Sequence, residues 1–391
     1  MNDGWVETTL GEVVEVTKGK KPKEVSIEGN GYPYLIAEVL RGGQVVKRVT
    51  NTDGLLTANE HDCLLLWDGA GAGDSFPGRL GVVASTMARV RPKANVGLDS
   101  MYLAYAVENL REEIKSSCRG TTVPHVSPDV LRALPILLPP LPVQRRIVDV
   151  MTHVDSHLAN LRAEKEALTA LTSSLRKTKF EELDSEMSPA NEIFEMRLGR
   201  QKSARQSVGD FVFSYIRAGN ISASGLNLND VQTMNFEPHE QEAYGLLPDD
   251  ILLVEGGTVG LAARWCGEIE GFVGFDKHVI RLRASQGKSI PEYALQWAHW
   301  SKESGAFDRQ ATGITIQALG FGRASSMLVP DIPIELQEEL CSPLSTLESL
   351  TADLVREMES LQKMRAVVLS SLLSGADALP KSYDTLLSEV A

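Results

Sequence analysis

The sequence predicts an α+β protein: two globular α/β domains separated by two long antiparallel coiled-coil helices, with an internal pseudo-repeat. Two observations carry that reading. Ile147, Val154, Leu161, Leu168 and Leu175 recur every seven residues, the seam of a long packed helix. The seam returns at Leu340, Leu347, Leu354, Leu361 and Val368, each its counterpart plus 193, and Pro140 and Gln144 fall at that offset on Pro333 and Gln337. A helix of about 40 residues is ~60 Å long and needs a partner along its length. The second copy offers one within the chain, so the pairing is read as intramolecular and antiparallel.

The expected boundaries are a first domain over residues 1–144, a long helix over 145–183, a second domain over 184–330, a second long helix over 331–375 and a tail over 376–391. The first helix begins near Val143 and reaches Glu182; the second runs from about Leu336 to Ser374. Asp184 to Gln206 reads as a polar linker between the halves.

At 391 residues the chain exceeds what one core usually serves. Its composition is that of a soluble globular protein, and no apolar run reaches the roughly 20 residues of a membrane span. Met1 to Leu10 is polar and acidic, unlike a targeting peptide, so the expected location is cytoplasmic. Cys63, Cys118, Cys266 and Cys341 are scattered singly, without metal-ligand spacing. The net charge of −13 argues against bulk attraction to nucleic acid. Residues 331–391, however, hold eleven acids against four bases, whereas residues 1–144 are near balance with seventeen acids and fifteen bases. Local basic patches therefore remain available in the first domain.

In chain order, Gly4 to Val16 is a lead-in with strand character. Lys18, Lys20, Lys21 and Lys23 then crowd a loop that Gly19 and Pro22 keep irregular, either a phosphate-contacting loop or a solvated one. A strand from Tyr32 to Leu40 ends at Arg41-Gly42-Gly43, and its match in the second half carries Arg217 and Asn220. Asp62 to Leu66 is a buried strand leading into Trp67-Asp68-Gly69; Asp250 to Val254 with Gly256-Gly257 echoes it. The glycines fit neither a dinucleotide fingerprint nor a phosphate loop. A turn presenting Trp67 and Asp68 to a base edge is the functional reading, and a core tryptophan is the structural one.

The next matched strands close on Arg89 and Arg91, and on Arg281 and Arg283, each pair on one face. Asp99 to Ile114 and Ile290 to Trp300 are amphipathic helices explained by core packing. Thr121, Thr122 and His125 lie in a hydroxyl-rich loop suited either to phosphates and base edges or, for His125, to satisfying a buried backbone group. Ser127-Pro128-Asp129 has helix-start chemistry. The second copy keeps Thr315 and Gln317 but no matching proline or histidine.

Gly120-Thr121-Thr122-Val123-Pro124-His125-Val126-Ser127-Pro128-Asp129, then Pro139-Pro140-Leu141-Pro142-Val143-Gln144-Arg145-Arg146-Ile147, then the heptad helix resembles the specificity subunit of type I restriction-modification systems over nearly the whole chain. Trp67-Asp68-Gly69 and Ser85 to Pro92 are similar to a common first recognition domain of that family, while the second domain is similar more loosely. The resemblance implies a non-catalytic subunit that reads a bipartite double-stranded DNA target through two target-recognition domains. It implies two copies of a modification methyltransferase subunit and a restriction subunit as partners. S-adenosylmethionine, ATP and Mg would sit on those partners and no cofactor on this chain. The DNA contacts expected are Lys18, Lys20, Lys21, Lys23, Arg41, Trp67, Asp68, Arg79, Thr121, Thr122, His125, Lys202, Arg205, Arg217, Asn220, Arg264, Lys277, Thr315 and Gln317. The rivals are a repeat-built coiled-coil protein scaffold and a DNA-recognition adaptor for a different defence effector. A free-standing hydrolase lacks any nucleophile motif.

Overall fold

The computed structural model describes residues 4–27, 29–118, 124–201, 209–313 and 317–376. The chain divides into two compact units, one of residues 1–161 with 357–391 and the other of residues 162–356.

In the first unit, strand Val6–Thr9 pairs antiparallel with Pro135–Leu138, and a four-residue helix, Leu10–Val13, leads into strand Val14–Lys18. That strand edges an antiparallel sheet ordered Val14–Lys18, Met87–Pro92, Cys63–Leu66, Ser75–Pro77. Cys63–Leu66 is buried on both faces, which is why it reads as an uninterrupted apolar run rather than an alternating one. A second sheet is ordered Arg48–Val49, Tyr32–Leu35, Gly81–Val83, Thr57–Ala58, with a parallel pair at its centre.

The second unit repeats this topology. Met187–Pro189 pairs with Leu328–Pro330, and helix Ala190–Ile193 leads into a sheet ordered Phe194–Leu198, Val279–Ala284, Ile251–Val254, Ala262–Arg264. Beside it lies a sheet ordered Gln232–Asn235, Val212–Ile216, Val273–Phe275, again with a central parallel pair. Residues 187–198 therefore form a strand, a helix and a strand where the sequence suggested linker. Ala190, Ile193 and Phe194 face the core while Glu195 and Arg197 face out, so polar residues masked the element.

The amphipathic stretch from Asp99 forms two helices, Ser100–Asn109 and Arg111–Ser116. The Asp99 carboxylate caps the first by accepting from the Met101 and Tyr102 amides at 2.9 and 3.1 Å. Ser127 precedes Pro128 at the start of helix Pro128–Ala133, but its hydroxyl makes no capping bond.

The long helices are Leu141–Glu181 and Ile334–Ser374, 41 residues each. Each gives part of its length to both units. In the first unit Ile147 and Met151 share a core with Leu369, Leu372 and Leu373; in the second, Phe180 shares one with Leu340 and Leu344. Within each unit the two segments run antiparallel. Ile147, Leu161 and Leu340 are buried, and Val154, Leu168, Leu175, Leu347, Leu354, Leu361 and Val368 half-buried.

Gln144 anchors the first helix. Its Oε1 accepts from the Asp99 amide at 2.8 Å, and its Nε2 donates to the carbonyls of Gly97 at 2.9 Å and Pro139 at 2.7 Å. Gln337 does the same in the second unit, accepting from Ile290 and donating to Lys288 and Ile332. A buried glutamine that closes three backbone valences in both copies explains why it recurs at the same offset.

Candidate nucleic-acid interface

In the first unit, Gly19 brings the lysine loop against the sheet. A Cβ there would sit 2.2 Å from the Ala84 carbonyl oxygen, so only glycine permits the approach. Lys18 closes an ion pair with Asp68 at 2.7 Å, while Lys20, Lys21 and Lys23 are exposed and have no ion-pair partner among the described residues. Arg79 is also exposed, in the turn between strands Ser75–Pro77 and Gly81–Val83.

Trp67 is not presented by a turn: it is 9% exposed and belongs to the core of the first unit. It walls a cavity of about 120 Å³ with Val16, Lys18, Pro128, Leu131 and Arg132. Three preceding leucines and a backbone amide bound to the Thr86 carbonyl continue the strand direction inward, which carries the indole with it. Asp68 is half-buried, and its backbone bridges to exposed His125. Asp68, His125 and Lys18 thus come together at one edge. Thr121 and Thr122 lie outside the described residues, as do Lys202, Arg205 and Thr315.

Arg41 sits at the end of helix Ala37–Leu40 and reaches Asp74 at 2.6 Å. Arg111 and Lys115, which sequence reading left out, meet the same carboxylate at 2.7 and 3.1 Å. Burial pushes the Asp74 carboxyl up, but hydrogen bonds from Arg41, Lys115 and Arg111 more than reverse it and hold it at about 2. The signal available in the sequence was Arg111 and Lys115 one helical turn apart.

In the second unit several expected contacts turn inward. Asn220 is 2% exposed and holds its own loop, bonding the Arg217 amide and the carbonyls of Asn227 and Asp230. Arg217 pairs with Asp230, and Arg264 with Asp249 at 2.6 Å and Glu292 at 2.7 Å. These arginines are neutralised by acids of their own unit, and Asn220 has no free polar edge to offer a base. Lys277 and Gln317 are exposed; the Gln317 carbonyl accepts from the Gly257 amide at 2.9 Å.

The basic strand pairs are structural as well. Arg91 clasps buried Asp62 at 2.8 Å, and Arg283 clasps buried Asp250 at 2.7 Å, the same bond in both copies. Among the described residues no group of His, Cys, Asp and Glu is arranged to hold a metal ion, and no helix is long and apolar enough to cross a membrane.

Residues 2–170 match the family model of the type I restriction modification DNA specificity domain. The chain is 24% identical, over 95% of its length and 93% of the relative's, to the type I restriction enzyme MjaVIII specificity subunit of Methanocaldococcus jannaschii. Residues 2–170 thus carry a type I restriction-modification DNA specificity domain. A type I restriction-modification S subunit from M. genitalium has the same fold, at a TM-score of 0.55 and 18% identity over 97% of this chain and 98% of that one. A chain from a study of complex assembly in a type I system aligns at a TM-score of 0.60 and 13% identity, covering 95% and 98%. Specificity subunits recognise DNA sequence, are not enzymes, and carry no catalytic cofactor of their own.

Proposed function

We propose that this chain is a specificity subunit that reads a bipartite double-stranded DNA target, one half-site through each compact unit, and directs partner methyltransferase and restriction subunits to it. The observation that carries this reading is the repetition of one sheet order in both units, with different side chains on the connecting loops. A duplicated scaffold with divergent loops is what reading two different half-sites requires. Two copies of the methyltransferase subunit would match two copies of the repeat. S-adenosylmethionine would serve methylation, and ATP with Mg the restriction subunit, all in the cytoplasm where the DNA lies.

Of the expected contacts, Lys18, Lys20, Lys21, Lys23, Arg41, Arg79, His125, Lys277 and Gln317 have the exposure such a role needs. The experiment is an exchange of residues 184–330 for those of a relative, followed by methylome mapping in the host. One half of the methylated motif should change and the other stay. A methylome indifferent to deleting the chain would sink the reading in favour of a protein scaffold.

A further inference from the structure

Asp74, which closes the glycine loop after strand Cys63–Leu66, is surrounded unlike any other acid among the described residues. Elsewhere three arginines are each matched by two acids: Arg365 by Glu108 and Asp155, Arg176 by Glu303 and Glu348, Arg264 by Asp249 and Glu292. At Asp74 the ratio is reversed. Arg41, Arg111 and Lys115 share one carboxylate, and among the described residues no other acid collects three cations. The cluster carries two surplus positive charges.

Its geometry turns the surplus outward. The Asp74 side chain is 12% exposed, whereas those of Arg41 and Arg111 are about half exposed, at 51% and 48%. Arg41 spends one N–H on Asp74 and Arg111 two, Nε at 2.9 Å and Nη2 at 2.7 Å, out of the five each guanidinium owns. The face of Phe76, 5.8 Å from the Arg41 guanidinium carbon, helps hold that group in place. The turn between them is kept bare. A Cβ at Gly71 would come within 2.7 Å of Arg41 Nη2, and Gly73 has φ +96° beside Lys115. One carboxylate paired with one arginine would suffice to fasten this turn, and two further cations add repulsion without adding a partner.

Resting on the DNA reading above, we propose that Arg41, Arg111 and Lys115 form a preassembled seat for a backbone phosphodiester of the target, with Asp74 as its orienting counter-charge. A phosphodiester supplies the missing anion, and its nonbridging oxygens accept from a fixed guanidinium fork. The seat positions the duplex and reads no base.

The test uses the full chain purified with its accompanying subunits, and a mixed-sequence DNA duplex titrated across a salt series. Replacing Arg111→Gln with Lys115→Gln leaves the Arg41–Asp74 pair balanced, so the turn keeps its fastening. The slope of log affinity against log salt should fall by about 0.9, the contribution of the one phosphate the seat neutralises, with weakening alike on all sequences. Should that variant melt early, Arg41→Gln alone should still lower the slope, by up to about 0.9. Wild-type binding with an unchanged slope in both variants overturns the seat alone. A wild-type complex with no affinity for duplex overturns the DNA reading and the seat together.

Discussion

Arg365, near the end of the second long helix, donates to Glu108 in helix Ser100–Asn109 through Nη1 at 2.6 Å and Nη2 at 3.0 Å. The same guanidinium also bonds Asp155 on the first long helix and lies over the Tyr105 ring. It therefore ties three segments of the first unit at once. In the second unit Arg176 plays this part from the other long helix, bonding Gln296, Glu303 and Glu348. Asp155 and Glu348 stand 193 residues apart, so the acceptor is repeated while the arginine comes each time from the helix of the opposite copy.

Arg365→Ala should lower the stability of the first unit by roughly 1–3 kcal/mol, because it strands two carboxylates that are themselves a little over one-third exposed and partly solvated. Arg365→Lys should recover only part, since an ammonium cannot span both acids as a planar fork does. Denaturant unfolding of the two variants against wild type checks the ranking; equal behaviour of lysine and arginine would refute the fork.

Ending the chain at Arg356 should cost more. Leu369, Leu372 and Leu373, at 3%, 4% and 7% exposure, complete the apolar core of the first unit from the far end of the sequence. At about 2 kcal/mol each they represent ~6 kcal/mol, comparable with the whole stability of many domains. Hydrogen exchange should show residues 4–161 losing protection while residues 209–313 keep theirs. Retained protection in the first unit would contradict the shared core.

Gln144→Ala and Gln337→Ala should each be destabilising by roughly 3–5 kcal/mol, the cost of leaving one amide and two carbonyls unpaired in a buried site. Because the two networks are alike bond for bond, the two losses should agree within measurement error in thermal melts. A large difference would mean that one site admits water and the other does not.

The repeat was legible because its period survives as a bare number: seam, proline and glutamine all return at 193. The strands were legible from apolar runs such as Cys63–Leu66 and Ile251–Val254. The arginine bonds were harder, since Arg91 and its acid Asp62 lie far apart in sequence. Yet the copies held the clue, as Asp62 and Asp250 open matched strands and Arg91 and Arg283 close them. Trp67 was ambiguous for a physical reason: a tryptophan at a strand end can face either way, and only the third dimension decides. The closure of the first unit by Leu369 and Leu372 left no local trace at all.

Asp74 offers a pH-dependent check that is independent of DNA. Its carboxyl is held at about 2 in the folded chain against an ordinary 3.8, so the anion stabilises the fold fully above the ordinary value. That contribution is lost as pH falls through the folded value, because protonation then costs nothing extra in the unfolded chain. The difference amounts to about 1 kcal/mol once discounted for solvent, since the guanidiniums that cause it are about half exposed. Asp74→Asn should therefore be less stable than wild type by about that much near neutrality, and the gap should narrow between about pH 4 and pH 2. Urea unfolding across that range measures it. A gap that stays constant with pH would mean that Asp74 acts through its shape and hydrogen bonds, and not through the charge that the three surrounding cations require.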